Sequence, residues 1–255
     1  YKQLTKFKRM YENLRLRVIF EKMPIDGRYM RIVAKWGLLT VLGLALTASS
    51  NPQPAGLLGI DISAHQGVVQ FEKLEVQDKL TGEWVRPHFI YIRATNGAGR
   101  LDDYFNRNWT ESKTYGFKRG AYHFYQPRHD PRDQAELFVK TLGSTAGELP
   151  PVLDIEWMPS YTTPERLRAD LHVWLNKVKG HYGVQPVIYT NVSYYQDYLK
   201  GYFPGYKFWI AHYSTTPRLD QHAHFWQFSD KGVARGITQN VVDLNYAVTE
   251  FFQSL

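Results

Sequence analysis

Pro151-Val152-Leu153-Asp154-Ile155-Glu156 is the stretch on which the reading of this chain turns. Four apolar residues surround two acids, and the run is too short for a helix, so it reads as a buried strand. Similar short apolar runs occupy residues 57–62, 88–94 and 118–124 before it. Others occupy 186–190, 208–212 and 224–228 after it, with 241–244 as a candidate eighth. Helical patterns fall between several of them. Asp130-Pro131 opens one with Ala135, Phe138, Val139 and Leu142 on one face and Gly143 as its stop. Thr163-Pro164 opens another with Leu167, Leu171, Leu175 and Val178 on one face and Gly180 as its stop. A shorter helix is expected over residues 105–114. Strands alternating with helices indicate parallel β/α units, so the fold class is α/β. Eight strands in about 200 residues predict a small TIM-like (β/α)8-type barrel at the lower size limit of that fold. From the sixth strand onward there is no room for full helices, so that part is expected to be irregular, with an antiparallel pair.

The 255 residues contain 44% hydrophobic side chains, enough for a core, and no Cys. A disulfide scaffold, a thiolate metal site and a cysteine nucleophile are excluded. The net charge of +7 first suggests a nucleic-acid partner. Its distribution argues otherwise. Residues 1–35 hold ten basic and three acidic groups, and the remaining 21 basic and 21 acidic groups balance. The basicity belongs to an N-terminal arm, and no nucleic-acid partner is expected for the body.

Residues 36–48 then read WGLLTVLGLALTA, without a charge, followed by small residues and the turn-forming Asn51-Pro52-Gln53-Pro54. A basic flank, an apolar run and small residues form the layout of an export signal. A cleavable signal fits the short run, and an uncleaved anchor over residues 32–48 fits the long basic lead. Either places the rest of the chain outside the membrane, periplasmic or extracellular, with a membrane tether in the second case. The expected organisation is a basic arm (1–35), an apolar signal or anchor (36–50), a linker (51–56) and a catalytic barrel (57–255).

Asp61, Asp154, Glu156 and Asp243 each sit in or at the end of an apolar strand. Charges are rarely placed in buried strands, and in a parallel barrel the C-terminal strand ends open into the active site. Any one of these acids alone reads as a cap or a strand-end ion pair. All four together favour function. Asp154 and Glu156 are two residues apart on one strand and share a side. Two neighbouring carboxyls can be driven apart in pKa, one a proton donor and the other ionised, and glycoside hydrolysis needs such a pair. Seven Trp and eighteen Tyr supply rings that can stack on sugars, although most must be core.

Several segments resemble glycoside hydrolase family 25, the Chalaropsis-type lysozymes or N-acetylmuramidases. They are Gly59-Ile60-Asp61-Ile62-Ser63 with His65-Gln66-Gly67, Tyr91-Ile92-Arg93-Ala94-Thr95, Asp102 through Phe105 to Asn108-Trp109, and Arg119-Gly120-Ala121-Tyr122-His123-Phe124. The resemblance continues through the Pro151–Glu156 run, Trp209-Ile210-Ala211-His212-Tyr213, Phe225-Trp226-Gln227-Phe228 and Val242-Asp243-Leu244-Asn245. It implies a flattened, partly irregular barrel with fewer helices than strands. It also implies hydrolysis of the β-1,4 bond between N-acetylmuramic acid and N-acetylglucosamine in peptidoglycan, without a cofactor or metal. By this resemblance Glu156 is the general acid, Asp154 the second carboxylate, and Asp61 and Asp243 the further acids of the cleft. Tyr125 and Trp209 are implied sugar contacts. The family commonly has Glu-Gly where this chain has Asn96-Gly97, which places Asn96 among the substrate-binding candidates. Asp154 either attacks the anomeric carbon or orients the substrate's own N-acetyl oxygen to do so.

Other signals are weaker. Gly97-Ala98-Gly99 lacks the third glycine of a dinucleotide loop, where Asp102 stands. His222 and His224 share a strand face without a third ligand nearby, so they read as packing or surface residues. His123 is expected in the barrel core or the cleft. Two rival functions remain open at this stage. One is a catalytically silent peptidoglycan-binding module, and the other a hydrolase of another N-acetylated polysaccharide such as chitin.

Overall fold

The computed structural model describes residues 56–79, 81–214 and 223–255. The chain divides into two units, Tyr1–Gln53 and Pro54–Leu255, and every described residue belongs to the second. The basic arm and the apolar run 36–50 lie outside the described residues, as do 51–55 of the expected linker and His222. Gly56, read as the end of the linker, already belongs to the first strand, where it pairs with Val248. Among the described residues no helix is long and apolar enough to cross a membrane.

Among the described residues, eleven strands follow in chain order: β1 (Gly56–Ile62), β2 (Glu75–Gln77), β3 (Trp84–Val85), β4 (Phe89–Asn96), β5 (Arg100–Leu101) and β6 (Lys118–Phe124). Then come β7 (Val152–Asp154), β8 (Val187–Asn191), β9 (Lys207–Ala211), β10 (Ala223–Arg235) and β11 (Val241–Val248). Eight of them form a closed barrel in the order β11-β1-β4-β6-β7-β8-β9-β10, with β10 pairing back onto β11. Seven are parallel, and β11 runs antiparallel to both of its neighbours. The expected irregular end is this antiparallel closure.

Among the described residues the helices are fewer than the strands. α1 is Phe105–Thr114, α2 Pro131–Leu142 and α3 Pro164–Tyr182. The Asp130 side chain accepts from Arg132 N and the Thr163 side chain from Arg166 N, which satisfies otherwise orphaned amides. α3 runs past Gly180 and stops at Gly183, whose φ of 69° is left-handed. A glycine inside an exposed helix costs only about 1 kcal/mol, so Gly180 is a weak stop. The conformation at Gly183 is one that side chains resist.

Side chains alternate in and out of the barrel, and this alternation builds the site. On β4, Phe89, Tyr91 and Arg93 face inward. On β1 the inward set is Leu57, Gly59 and Asp61. On β7 it is Val152 and Asp154, on β8 Val187 and Tyr189, and on β10 Phe225 and Gln227. Each series is apolar at its N-terminal end and polar at its C-terminal end. The interior is therefore a packed aromatic floor beneath a charged mouth. Phe251 and Phe252, from the short C-terminal helix Thr249–Gln253, complete the floor against Phe225 and Phe89, with ring centroids 5.5 Å apart in each pair. Gly59 and Gly120 make room for it: a Cβ at Gly59 would lie 2.4 Å from the Phe89 ring, and one at Gly120 2.3 Å from Tyr91. The alternate residues, including Ile60, Ile90, Ile92, Leu153 and Ile188, pack outward in one cluster with Phe138, Leu171 and Trp174 of the helices.

Three short strands lie outside the sequence reading. β2 and β3 form a hairpin on the far end of β10, and β5 folds back on β4. Each is two or three residues long, below the length at which alternation is visible. β10 extends seven residues beyond the expected 224–228 run to Arg235. The polar Ser229-Asp230-Lys231 lies where its register to β11 shifts, and such an irregularity hides the alternation.

Candidate active site

The C-terminal mouth of the barrel holds a cleft of about 280 Å³. Asp61, Asp154, Glu156 and Asp243 all line it, from β1, the end of β7 and β11. They form two pairs. Asp61 and Asp243 face each other across the β1–β11 ladder. Asp154 and Glu156 sit on one side of their strand and hydrogen-bond to each other through their carboxyls.

Asp61 is the best supported of the four as an anion. Its Oδ2 accepts from Gln227 Nε2 at 2.9 Å and from Asn245 Nδ2 at 2.8 Å. Both amides are themselves oriented. Tyr189 Oη and Tyr213 Oη donate to Gln227 Oε1 at 2.8 and 3.0 Å, and Trp209 Nε1 donates to Asn245 Oδ1 at 2.9 Å. Burial raises the Asp61 pKa, while the hydrogen bonds from Asn245, Gln227 and Asp243 oppose the rise. Asp243 takes the proton of this pair. Burial, then the charge of Asp61 and the hydrogen bond it donates to Asp61, push it up to about 9.

Asp154 is buried, and its Oδ1 has no hydrogen-bond donor among the described residues. Burial first, then the charges of Glu156 and Asp61, push it well above the usual carboxylate range. Glu156 is also raised, by burial first, but the hydrogen bond from Asp154 works the other way. The proton of this pair therefore rests on Asp154. Burial is the leading cause for both carboxyls, and the proton settles on Asp154 because it is the more deeply enclosed of the two.

The expected substrate contacts divide. Trp209 lines the cleft but is 2% exposed, packed on Tyr91 at 4.9 Å, with its indole N–H committed to Asn245. Tyr125 and Asn96 are absent from the residues that line the cleft. Tyr125 follows β6 with the parity of His123, which faces the helices, and is buried there. Asn96 Oδ1 accepts from Gln126 Nε2 at 3.2 Å. His123 is enclosed between Thr95 Oγ1 at 2.7 Å and Gln134 Oε1 at 3.1 Å, stacked on Trp174. Burial lowers its pKa to about 4. His224 packs edge-on against Phe251, at 4.8 Å between centroids. The sequence reading gave no individual role to Gln227, Asn245, Tyr189 or Arg93. Their inward parity with the acids on known strands was the available signal.

The family model described as Glycosyl hydrolases family 25 matches residues 60–237, a span holding three of the four acids and most of the barrel. The chain belongs to glycosyl hydrolase family 25. It is a glycoside hydrolase with a mixed α/β barrel, as its sequence motifs implied. The Escherichia coli protein YegX, described as uncharacterized, is 38% identical over 189 residues, which cover 73% of this chain and 68% of that protein. Lysozyme M1 of Streptomyces globisporus is 32% identical over 203 residues, covering 73% of this chain and 66% of that one. Among solved structures, a family 25 glycosyl hydrolase from Bacillus anthracis superposes with a TM-score of 0.66 at 25% identity. It covers 80% of this chain and 95% of its own. A bacterial lysozyme from Streptomyces coelicolor superposes with a TM-score of 0.64 at 30% identity, covering 76% and 93%. Asp243 lies beyond the matched span, on the strand that closes this family 25 barrel.

Proposed function

We propose that this family 25 hydrolase is a lysozyme: it cleaves the β-1,4 bond between N-acetylmuramic acid and N-acetylglucosamine in peptidoglycan. The observation that carries this reading is two carboxyl pairs, Asp154 with Glu156 and Asp61 with Asp243, gathered in one cleft at the C-terminal mouth of the barrel. The similarity to proteins named as lysozymes supports the substrate.

When the glycan enters, the proton shared by Asp154 and Glu156 passes to Glu156, which protonates the leaving glycosidic oxygen. Asp154 is left negative beneath the anomeric carbon and stabilises the positive charge that develops there. Water then adds to that carbon and returns its proton to Glu156. Asp61, held by Gln227 and Asn245, contributes a second fixed negative charge, and Asp243 stays neutral as a hydrogen-bond donor. Tyr125 and Asn96 have no part in this reading, and Trp209 acts by orienting Asn245.

The substrate lies outside the cell membrane, so this function requires export. Residues 36–50 are the proposed export signal or anchor, and the basic arm 1–35 stays on the inner side.

The test is release of reducing ends from purified peptidoglycan by the full chain, with Glu156→Gln alongside. N-acetylmuramic acid at the new reducing end, released by the wild type and not by the variant, supports the proposal. Binding without release by a folded wild type supports a silent wall-binding module. Release from chitin in preference to peptidoglycan moves the substrate assignment.

A further inference from the structure

Among the described residues, Arg93 is the one arginine or lysine lining a cleft whose other lining residues include five carboxyls. Its position is built rather than incidental. Arg93 Nε donates to Asp102 Oδ2 at 2.9 Å, and the Asp102 side chain is fully enclosed. Asp102 is fixed from three further sides. Oδ2 accepts from Ala64 N at 2.9 Å, Oδ1 accepts from Tyr104 N at 3.1 Å, and Asp102 N donates to Ala94 O at 2.9 Å. The guanidinium is thus anchored through Nε. Its two Nη groups make no hydrogen bond with any described residue.

The two acids of the cleft that must carry charge are supported differently. Asp61 has amide donors of its own. Asp154 Oδ1 has none, so support for its charge must come through space. We infer that Arg93 is a positioning residue for the reaction: the fixed cation that allows buried Asp154 to become negative as the glycosidic bond breaks. This rests on the function proposed above.

The surroundings of Arg93 are consistent with that role. Asp61 faces the cleft from β1, Tyr122 from β6, Asp154 from β7 with Glu156 beyond it, and Asp243 from β11. Asp102 lies behind, and His65 and Asp230 line the same cleft. The carboxyls that share the cleft with Asp154 oppose its ionisation, and Arg93 favours it.

The experiment labels aspartate carboxyl carbons with ¹³C in the full chain and follows their titration, with Asp154→Asn identifying the Asp154 signal. Arg93→Gln and Arg93→Met remove the charge with different side chains, and Arg93→Lys keeps it. Circular dichroism identifies the folded variants. The expected result is an Asp154 midpoint raised by about one pH unit or more in a folded neutral variant and nearly unmoved in the lysine variant. The rising limb of kcat against pH on peptidoglycan should move upward with it, while KM stays within about threefold. An unmoved Asp154 midpoint in a folded neutral variant overturns the inference. So does a loss of kcat that is the same at every pH. Failure of the wild type to cut peptidoglycan would count against the proposed function instead, and the titration would still decide what Arg93 does to Asp154.

Discussion

Asp61 on β1 and Asp243 on β11 are direct partners in an antiparallel ladder, two acids where the pairing normally rejects like charges. One proton resolves the conflict. Asp243 holds it up to about pH 9 and donates to Asp61, which two amides keep ionised.

Asp243→Asn should therefore imitate the working state. The native carboxyl binds a proton up to about pH 9 in the folded chain, whereas an unfolded one releases it near 3.8. Between those values the folded state binds more protons, so its stability falls as pH rises. The asparagine variant removes that cost. Its melting temperature should exceed the wild type's by several degrees at pH 8, with the difference shrinking toward pH 4. Thermal melts across that range check the trend, and a constant difference at every pH would contradict it.

Glu156→Gln removes the proton donor while keeping size and hydrogen-bonding capacity. Turnover on peptidoglycan should drop by about 10²–10⁴-fold. Its side chain reaches solvent at the mouth of the cleft and glutamine keeps its shape, so the melting temperature should change little. Reducing-end assays and a melt on the same sample separate the two effects.

His123 should make the fold acid-sensitive. Burial lowers its pKa to about 4 from the ordinary 6.5, so the unfolded chain binds a proton that the folded one refuses. Stability is lost as pH falls through that window, by on the order of 3 kcal/mol at its lower end. His123→Leu should be less stable at pH 7, because Thr95 and Gln134 lose their partner. Its stability should nevertheless fall less steeply than the wild type's between pH 6.5 and 4. Urea unfolding at several pH values measures both quantities.

Gly120→Ala should disturb the floor of the barrel. The added methyl would lie 2.3 Å from the Tyr91 ring, which packs on Trp209, and Trp209 orients Asn245. A cost of about 1–3 kcal/mol is expected from overpacking. Activity should fall as well, since the strain reaches the donor of Asp61. Chemical denaturation and the reducing-end assay test the two parts.

The eight barrel strands, the two capped helices and the four strand-end acids are all legible in the sequence. Those features are local: apolar runs, Pro and Gly at helix ends, and charges where a buried strand would not tolerate them without use. The hairpin of β2 and β3, the extension of β10 and the true end of α3 were not legible, because strands of two or three residues and shifted registers have no periodic signature. The tertiary structure alone decided how the acids pair. Asp61 meets Asp243 only because the last strand closes the barrel antiparallel to the first, 182 residues away in the chain. It also decided which member of each pair holds the proton, since that depends on burial and on donors from distant strands. Tyr125 and Trp209 make the same point. Tyr125 follows the end of β6 and Trp209 sits within β9, but parity sends the first behind the sheet and the second inward, where its indole N–H is committed to Asn245. Which face a side chain takes is local, but what waits on that face is set by the rest of the fold.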